Sequence, residues 1–133
     1  VAARHSMTPD EVITRHSDAV YRVYMIGFMP GYTYLGGLDP KIMTPRRLDP
    51  RAMTPAGTVS IGGIQALIAG CAMPSGWHLL GRSPAITFMA AREPATLFHP
   101  GDELVFVPTD ASKWDALAKR AEAGELIAEV IPA

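Results

Sequence analysis

Apolar residues recur along this chain with two different periods, and the change between them separates helical ends from a stranded middle. Near the start, Val12, Ile13 and His16 follow helical spacing behind Thr8-Pro9-Asp10-Glu11. There a threonine cap, a first-turn proline and an acid three residues after the cap form a capping box. This predicts a helix that ends near Ser17. At the other end Ser112 caps, Asp115 closes a second box, and Trp114, Leu117, Ala118 and Ala121 keep the helical period until Gly124 stops it. Between the two, apolar runs punctuated by glycine and proline predict strands over about 20–26, 58–61, 64–69, 77–80, 84–89 and 103–107, with a last one near 126–131. The chain therefore reads as mainly β with two short helices, and so many short strands suggest a barrel.

Glycine and proline number 12 each and concentrate between Gly27 and Gly101, which is why the pieces are short. One stretch resists strand assignment. Leu38-Asp39-Pro40-Lys41-Ile42-Met43-Thr44-Pro45 is echoed by Leu48-Asp49-Pro50-Arg51-Ala52-Met53-Thr54-Pro55. Two copies are too few for a solenoid, so the expectation is one proline-stiffened loop that crosses the surface without regular pairing. Such a loop is preorganised for a ligand or partner.

With 133 residues, 48% of them hydrophobic, the chain is expected to form a single domain over residues 1–133. A net charge of -1 and 19% charged residues argue against a disordered tail or a general nucleic-acid binder. No apolar run approaches the roughly 18 residues of a membrane span, and no signal-peptide core is present. Cys71 is the only cysteine, which rules out an internal disulfide or a Cys-rich zinc site and fits a reducing compartment such as the cytoplasm.

Three constellations carry candidate chemistry. Gly27 to Leu38 interleaves Phe28, Tyr32 and Tyr34 with glycines, and reads either as a turn whose aromatics plug a barrel end or as a pocket wall with exposed amides. Both nucleotide-loop patterns, GxxxxGK[ST] and GxGxxG, are absent. Arg46, Arg47 and Arg51 lie between prolines in the stiff loop, either solvated and paired with Asp39 and Asp49 or clustered for a small anion. In Pro74-Ser75-Gly76-Trp77-His78-Leu79-Leu80-Gly81-Arg82, strand alternation puts Trp77 and Leu79 on one face and His78 and Leu80 on the other, with Arg82 following His78. His78 is a candidate base or anion ligand, or a histidine satisfied at a rim. Gln65 is a polar residue in an otherwise apolar strand, open to a structural or a substrate-binding role. Cys71 has no histidine at a diagnostic spacing, and His5 and His16 have no HxxxH partner, so neither a thiol mechanism nor a metal site is expected.

The blocks GFMPGYTYLGGLDP at 27–40, TPRRLDPRAMTPAGTVSIGG at 44–63 and PSGWHLLGRSP at 74–84, with PGDELVFVP at 100–108, resemble one known family. It is the family of the bacterial 5-oxoprolinase B subunit, also labelled allophanate hydrolase subunit 1, which includes the kinase inhibitor KipI and is related to a carboxyltransferase module. The resemblance implies a cyclophilin-like closed β-barrel. It also implies a further N-terminal domain in the full subunit, with which a chain opening on Val1 agrees. The partners so implied are a second barrel subunit, resembling the 5-oxoprolinase C subunit, and a third hydrolase subunit. The activity so implied is an ATP-dependent opening of 5-oxo-L-proline to L-glutamate, with ATP belonging to the complex. Carried onto this sequence, it implies an anion-binding role for Arg46, Arg51 and Arg82, with Gln65 and His78 beside them and Phe28, Tyr34 and Trp77 shaping the pocket. No nucleophile is implied.

Where the family has Gln-Thr-Gly-Ile-Tyr-Pro, this chain has Gln65-Ala66-Leu67-Ile68-Ala69-Gly70. A threonine hydroxyl and a tyrosine phenol are lost, which leaves the identity of the amide substrate open. Two further readings stand beside the hydrolase: a KipI-like inhibitor of a sensor histidine kinase, docking through Met29, Met43 and Met53, and the carboxyltransferase module of a urea-carboxylase or allophanate-type system.

Overall fold

A computed structural model describes residues 1–131. The first helix, α1 (Pro9–Asp18), starts where its capping box requires: the Thr8 hydroxyl accepts from the Glu11 amide and the Glu11 carboxylate from the Thr8 amide. Such a cap contributes about 1 kcal/mol. Eight strands follow: β1 (Tyr21–Ile26), β2 (Thr33–Gly36), β3 (Arg51–Thr54), β4 (Thr58–Gly62), β5 (Gln65–Ile68), β6 (Met73–Ser75), β7 (His78–Arg82) and β8 (Glu103–Leu104). Helix α2 (Trp114–Glu122) comes last.

Six strands form one antiparallel sheet in the order β7-β4-β5-β2-β1-β8, and β3 pairs with β6 in a separate two-stranded sheet. The expected closed barrel is not formed. Among the described residues β7 and β8 remain edges, because the chain between them does not supply a closing strand. The stretch expected as a strand over 84–89 starts with Pro84 and folds back on itself, with the Met89 amide donating to Ala95 O and the Leu97 amide to Thr87 O. Buried Arg92 holds this loop by donating from Nε to Pro94 O and from Nη2 to Ala95 O. β8 is only two residues long because β1 begins opposite it at Tyr21, so 105–107 run past their partner. Residues 126–131 form no strand and lie largely exposed, with the Ala128 amide closing a local turn onto Leu126 O.

Pairing puts Val23, Leu35, Ala66, Ile61 and His78 in one row across the sheet. Neighbours in such a row share a face. Val12 of α1, Leu38 and Ile42 cover this first face, and the core they form includes Tyr21, Val23, Leu35 and Ile61. Each such side chain contributes roughly 1.5–3 kcal/mol on burial. The opposite face carries Tyr34, Leu67 and Trp77, with Met73 of β6 packed on it.

Two one-residue bulges modify the alternation. One sits at Tyr24 in β1 and the other at Leu80 in β7. A bulge shifts every later residue of its strand to the other face. Trp77 and Leu79 therefore stay opposite His78 and Leu80 as the alternation predicts, but Arg82 pairs with Thr58 on the face away from His78. The expectation that Arg82 follows His78 fails for that reason.

The region 38–55 is more ordered than a free loop. Asp39 caps a 3-10 turn at Pro40–Ile42, Thr44 bridges Gly63, and Arg51–Thr54 pair with β6. The ten-residue echo in sequence thus has no echo in structure: its first copy is helical and its second extended. At the C-terminal helix, Asp110 rather than Ser112 supplies the cap, opening one 3-10 turn before α2. Gly124 ends the helix with a φ of 94°, which glycine adopts without strain.

Candidate functional site

The loop between Pro45 and Arg51 is tied to the segment before β7 by three hydrogen bonds. The Arg47 amide donates to Gly76 O at 2.7 Å, Arg51 Nη1 donates to Trp77 O at 2.8 Å, and His78 Nε2 lies 2.8 Å from Pro45 O. Proline stiffness and these tethers fix where the arginines leave the surface. His78 thus secures the loop from the outer end of the buried row.

Trp77 is positioned from below as well. Its indole lies across Gly62 so closely that a Cβ there would sit 2.6 Å from the ring, and its edge meets Tyr34 with centroids 6.3 Å apart. Gln65 pairs with Gly62 across the hairpin. Gln65 is exposed rather than buried, so its amide is available to a ligand. Burial raises the Tyr34 phenol above its ordinary value, which keeps it a donor at neutral pH.

Beside Gln65 opens a cleft of ≈ 420 Å³ lined by Tyr24, Gly36, Gly37, Met43 and Ile64 together with Leu38. Among the described residues no charged side chain lines it. Tyr24 reaches it because the β1 bulge lays its ring over Gly36, whose missing Cβ makes the room. Sequence reasoning passes over Tyr24; the signal was a glycine across the sheet from an aromatic, visible only once register is known.

The structure therefore brings Gln65, Tyr34, Trp77, His78, Arg51 and the Arg46 backbone to one end of the sheet. It places Arg82 and Phe28 at the other. Arg82 Nε donates to Ala56 O at 2.9 Å, and its guanidinium stacks 5.1 Å over Trp114 of α2. Phe28 sits at the tip of the β1–β2 connection, 73% exposed, at a φ of 72° that is costly for an aromatic residue. Its ring meets Tyr32, whose phenol burial pushes up to about 12.

The three arginines are not neutralised locally. Asp39 pairs with Arg15 at 3.0 Å, and among the described residues no ion pair involves Arg46, Arg47 or Arg51. Met29, Met43 and Met53 do not form one patch: Met43 packs against the core, while Met29 and Met53 are exposed on the β1–β2 connection and on β3. Among the described residues no group of three or more His, Cys, Asp or Glu could hold a metal ion, and no helix is long and apolar enough to cross a membrane.

Comparisons with known proteins find relatives in both sequence and fold. The 5-oxoprolinase B subunit of Haemophilus influenzae is 44% identical over 107 residues, covering 80% of this chain and 50% of that protein. The chain thus spans about half the length of that relative. A conserved uncharacterized protein from Pyrococcus horikoshii superposes with a TM-score of 0.81 at 42% identity, covering 85% of this chain and 52% of the other. The urea carboxylase of Kluyveromyces lactis shares the fold at 22% identity and a TM-score of 0.76, covering 93% of this chain and 12% of that one. The profile of the carboxyltransferase domain, subdomain C and D, matches residues 1–98, and the chain belongs to that family.

Proposed function

We propose that this chain is the barrel-family part of a 5-oxoprolinase B subunit, working with partner subunits in the ATP-dependent opening of 5-oxo-L-proline to L-glutamate. The observation that carries the reading is the 44% identity to a protein named for that activity, in a chain with an uncharged cleft at Gln65 and a tethered arginine loop at the same end of the sheet. The substrate is a small lactam with one carboxylate. Its ring and amide suit the cleft, where the Gln65 amide can both donate to a lactam oxygen and accept from a lactam N–H. Arg46 and Arg51 suit the carboxylate or the anion that develops when the amide carbon is attacked.

The nucleotide does not fit this cleft. A triphosphate needs cationic or amide-rich walls, and the lining here has neither charged side chains nor a phosphate loop. ATP is accordingly assigned to a partner subunit, and this chain contributes binding and charge stabilisation without a nucleophile. The complex as a whole is assigned to the cytoplasm.

The test is reconstitution of the full protein with a second barrel partner, resembling the 5-oxoprolinase C subunit, and the third hydrolase subunit, scored by glutamate released from 5-oxoproline with ATP. Glutamate only from the complete mixture supports the reading. No glutamate from a complex that assembles and folds overturns it.

A further inference from the structure

The Arg82 end of the sheet holds a second cavity, of ≈ 350 Å³, that shares no lining residue with the Gln65 cleft. One wall is the sheet and the segment after β7, and the other is α2, which lies beyond the residues matched to the family. Its polar groups are few and of complementary kinds. Arg82 is held by Ala56 O through Nε and by the Trp114 ring, which orients the guanidinium without engaging its two terminal nitrogens in a described bond. Glu122, in the last turn of α2, lines the same cavity and makes no described ion pair with Arg82.

The Thr87 hydroxyl has almost no accessible surface and lies against Gly31, so it does not face the cavity. The remaining walls come from Ala56, Ala69, Pro84, Ala85, Ile86 and Ala118 and are small and apolar.

We propose that this cavity binds a small α-amino acid with an uncharged side chain, as the zwitterion. Arg82 takes the carboxylate, Glu122 takes the ammonium, and the apolar walls take the side chain. A guanidinium and a carboxylate that face one cavity without pairing each other match the two charges of that ligand class, whereas a simple anion would meet Glu122 as a like charge. The site stands apart from the proposed lactam-opening function, and its ligand is held by different residues.

The test is a ligand-detected NMR titration of the full protein with L-valine, beside isovalerate and isobutylamine, which each keep the branched carbon frame and one of the two charges. L-valine is expected to bind more tightly than either half-ligand by about tenfold or more, the loss that follows from removing one charge-assisted contact. Arg82→Gln and Glu122→Gln should each raise the L-valine Kd by a similar factor, and Gln65→Ala should leave it unchanged. Glu122 is exposed at the end of α2, so its variant reports even where Arg82→Gln loosens the fold. Absence of L-valine binding, isovalerate binding as tightly as L-valine, or loss of binding in Gln65→Ala would each overturn the proposal. Because none of these readouts uses lactam opening, the site and the proposed function stand or fall separately.

Discussion

At the Gln65 end of the sheet lie an aromatic pair, a tethered arginine loop and a cleft whose lining carries no charge. At the Arg82 end a guanidinium and a carboxylate share one cavity. Both ends draw on the same short stretch, Trp77 to Arg82, and the single extra residue at Leu80 decides which side chain serves which end. Without that bulge, Arg82 would lie on the face of His78, the face of the buried row. The comparison shows that a motif contiguous in sequence can be split between two sites by one irregularity in a strand.

Two glycine substitutions break the comparison most sharply. At the Arg82 end, a Cβ on Gly70 would collide with the backbone oxygen of Pro30, which cannot swing away. Gly70→Ala is expected to cost about 3 kcal/mol of stability by chemical denaturation, at the upper end of overpacking. At the Gln65 end, the nearest atoms to the Cβ of Gly62→Ala belong to the Trp77 ring, which can tilt. That variant should cost about 1–2 kcal/mol and, by displacing the indole, lower kcat/KM in the reconstituted complex.

A change at neither end fixes the pH range in which the two can be compared. His16 is 5% exposed between the rings of Tyr21 and Phe106, at 5.2 and 4.8 Å, and its Nε2 has no partner. Burial pushes its pKa down to about 4 from 6.5. The unfolded chain therefore takes up a proton in this window that the folded chain refuses. Stability is complete above pH 6.5 and is lost as the pH falls towards 4, by roughly 3 kcal/mol. Denaturation between pH 7 and 4 should show that slope, and His16→Phe should flatten it.

The smallest effect sharpens the account of the tether. His78→Phe removes the bond to Pro45 O and should cost about 1 kcal/mol in kcat/KM, about fivefold, with a thermal midpoint close to wild type. An equal loss of stability and activity would instead make His78 a packing residue.

Local rules carried the helices. Thr8 and Glu11 announce α1 because a capping box is complete within four residues, and Gly124 announces the end of α2 because few other residues accept its φ. The β4–β5 hairpin was legible to within a residue, since Gly62 and Gly63 mark its turn and the flanking runs alternate. β2 was not, although Thr33 and Leu35 alternate in burial with Tyr34 and Gly36: the aromatic and glycine content of that stretch resembles a turn. β3 and β6 contain or adjoin prolines and are stabilised by each other, a long-range pairing that no local pattern records. At the site, the residue types were legible and their grouping was not. Gln65, Trp77, Tyr34, Arg51 and His78 lie at one end of the sheet, with His78 on the face opposite Trp77 and Tyr34, whereas the β7 bulge turns Arg82 away and the β1–β2 connection carries Phe28 off.

Arg46 offers the most direct test of the tethered loop as an anion-binding element, because it is exposed and its side chain makes no described hydrogen bond or ion pair that a substitution would break. The measurement is glutamate release by the reconstituted complex carrying Arg46→Ala, with the thermal midpoint recorded alongside. The expected result is a fall in kcat/KM of about 30- to 1000-fold, the loss of 2–4 kcal/mol of transition-state stabilisation, at an unchanged midpoint. A folded Arg46→Ala complex that turns over at the wild-type rate would contradict it.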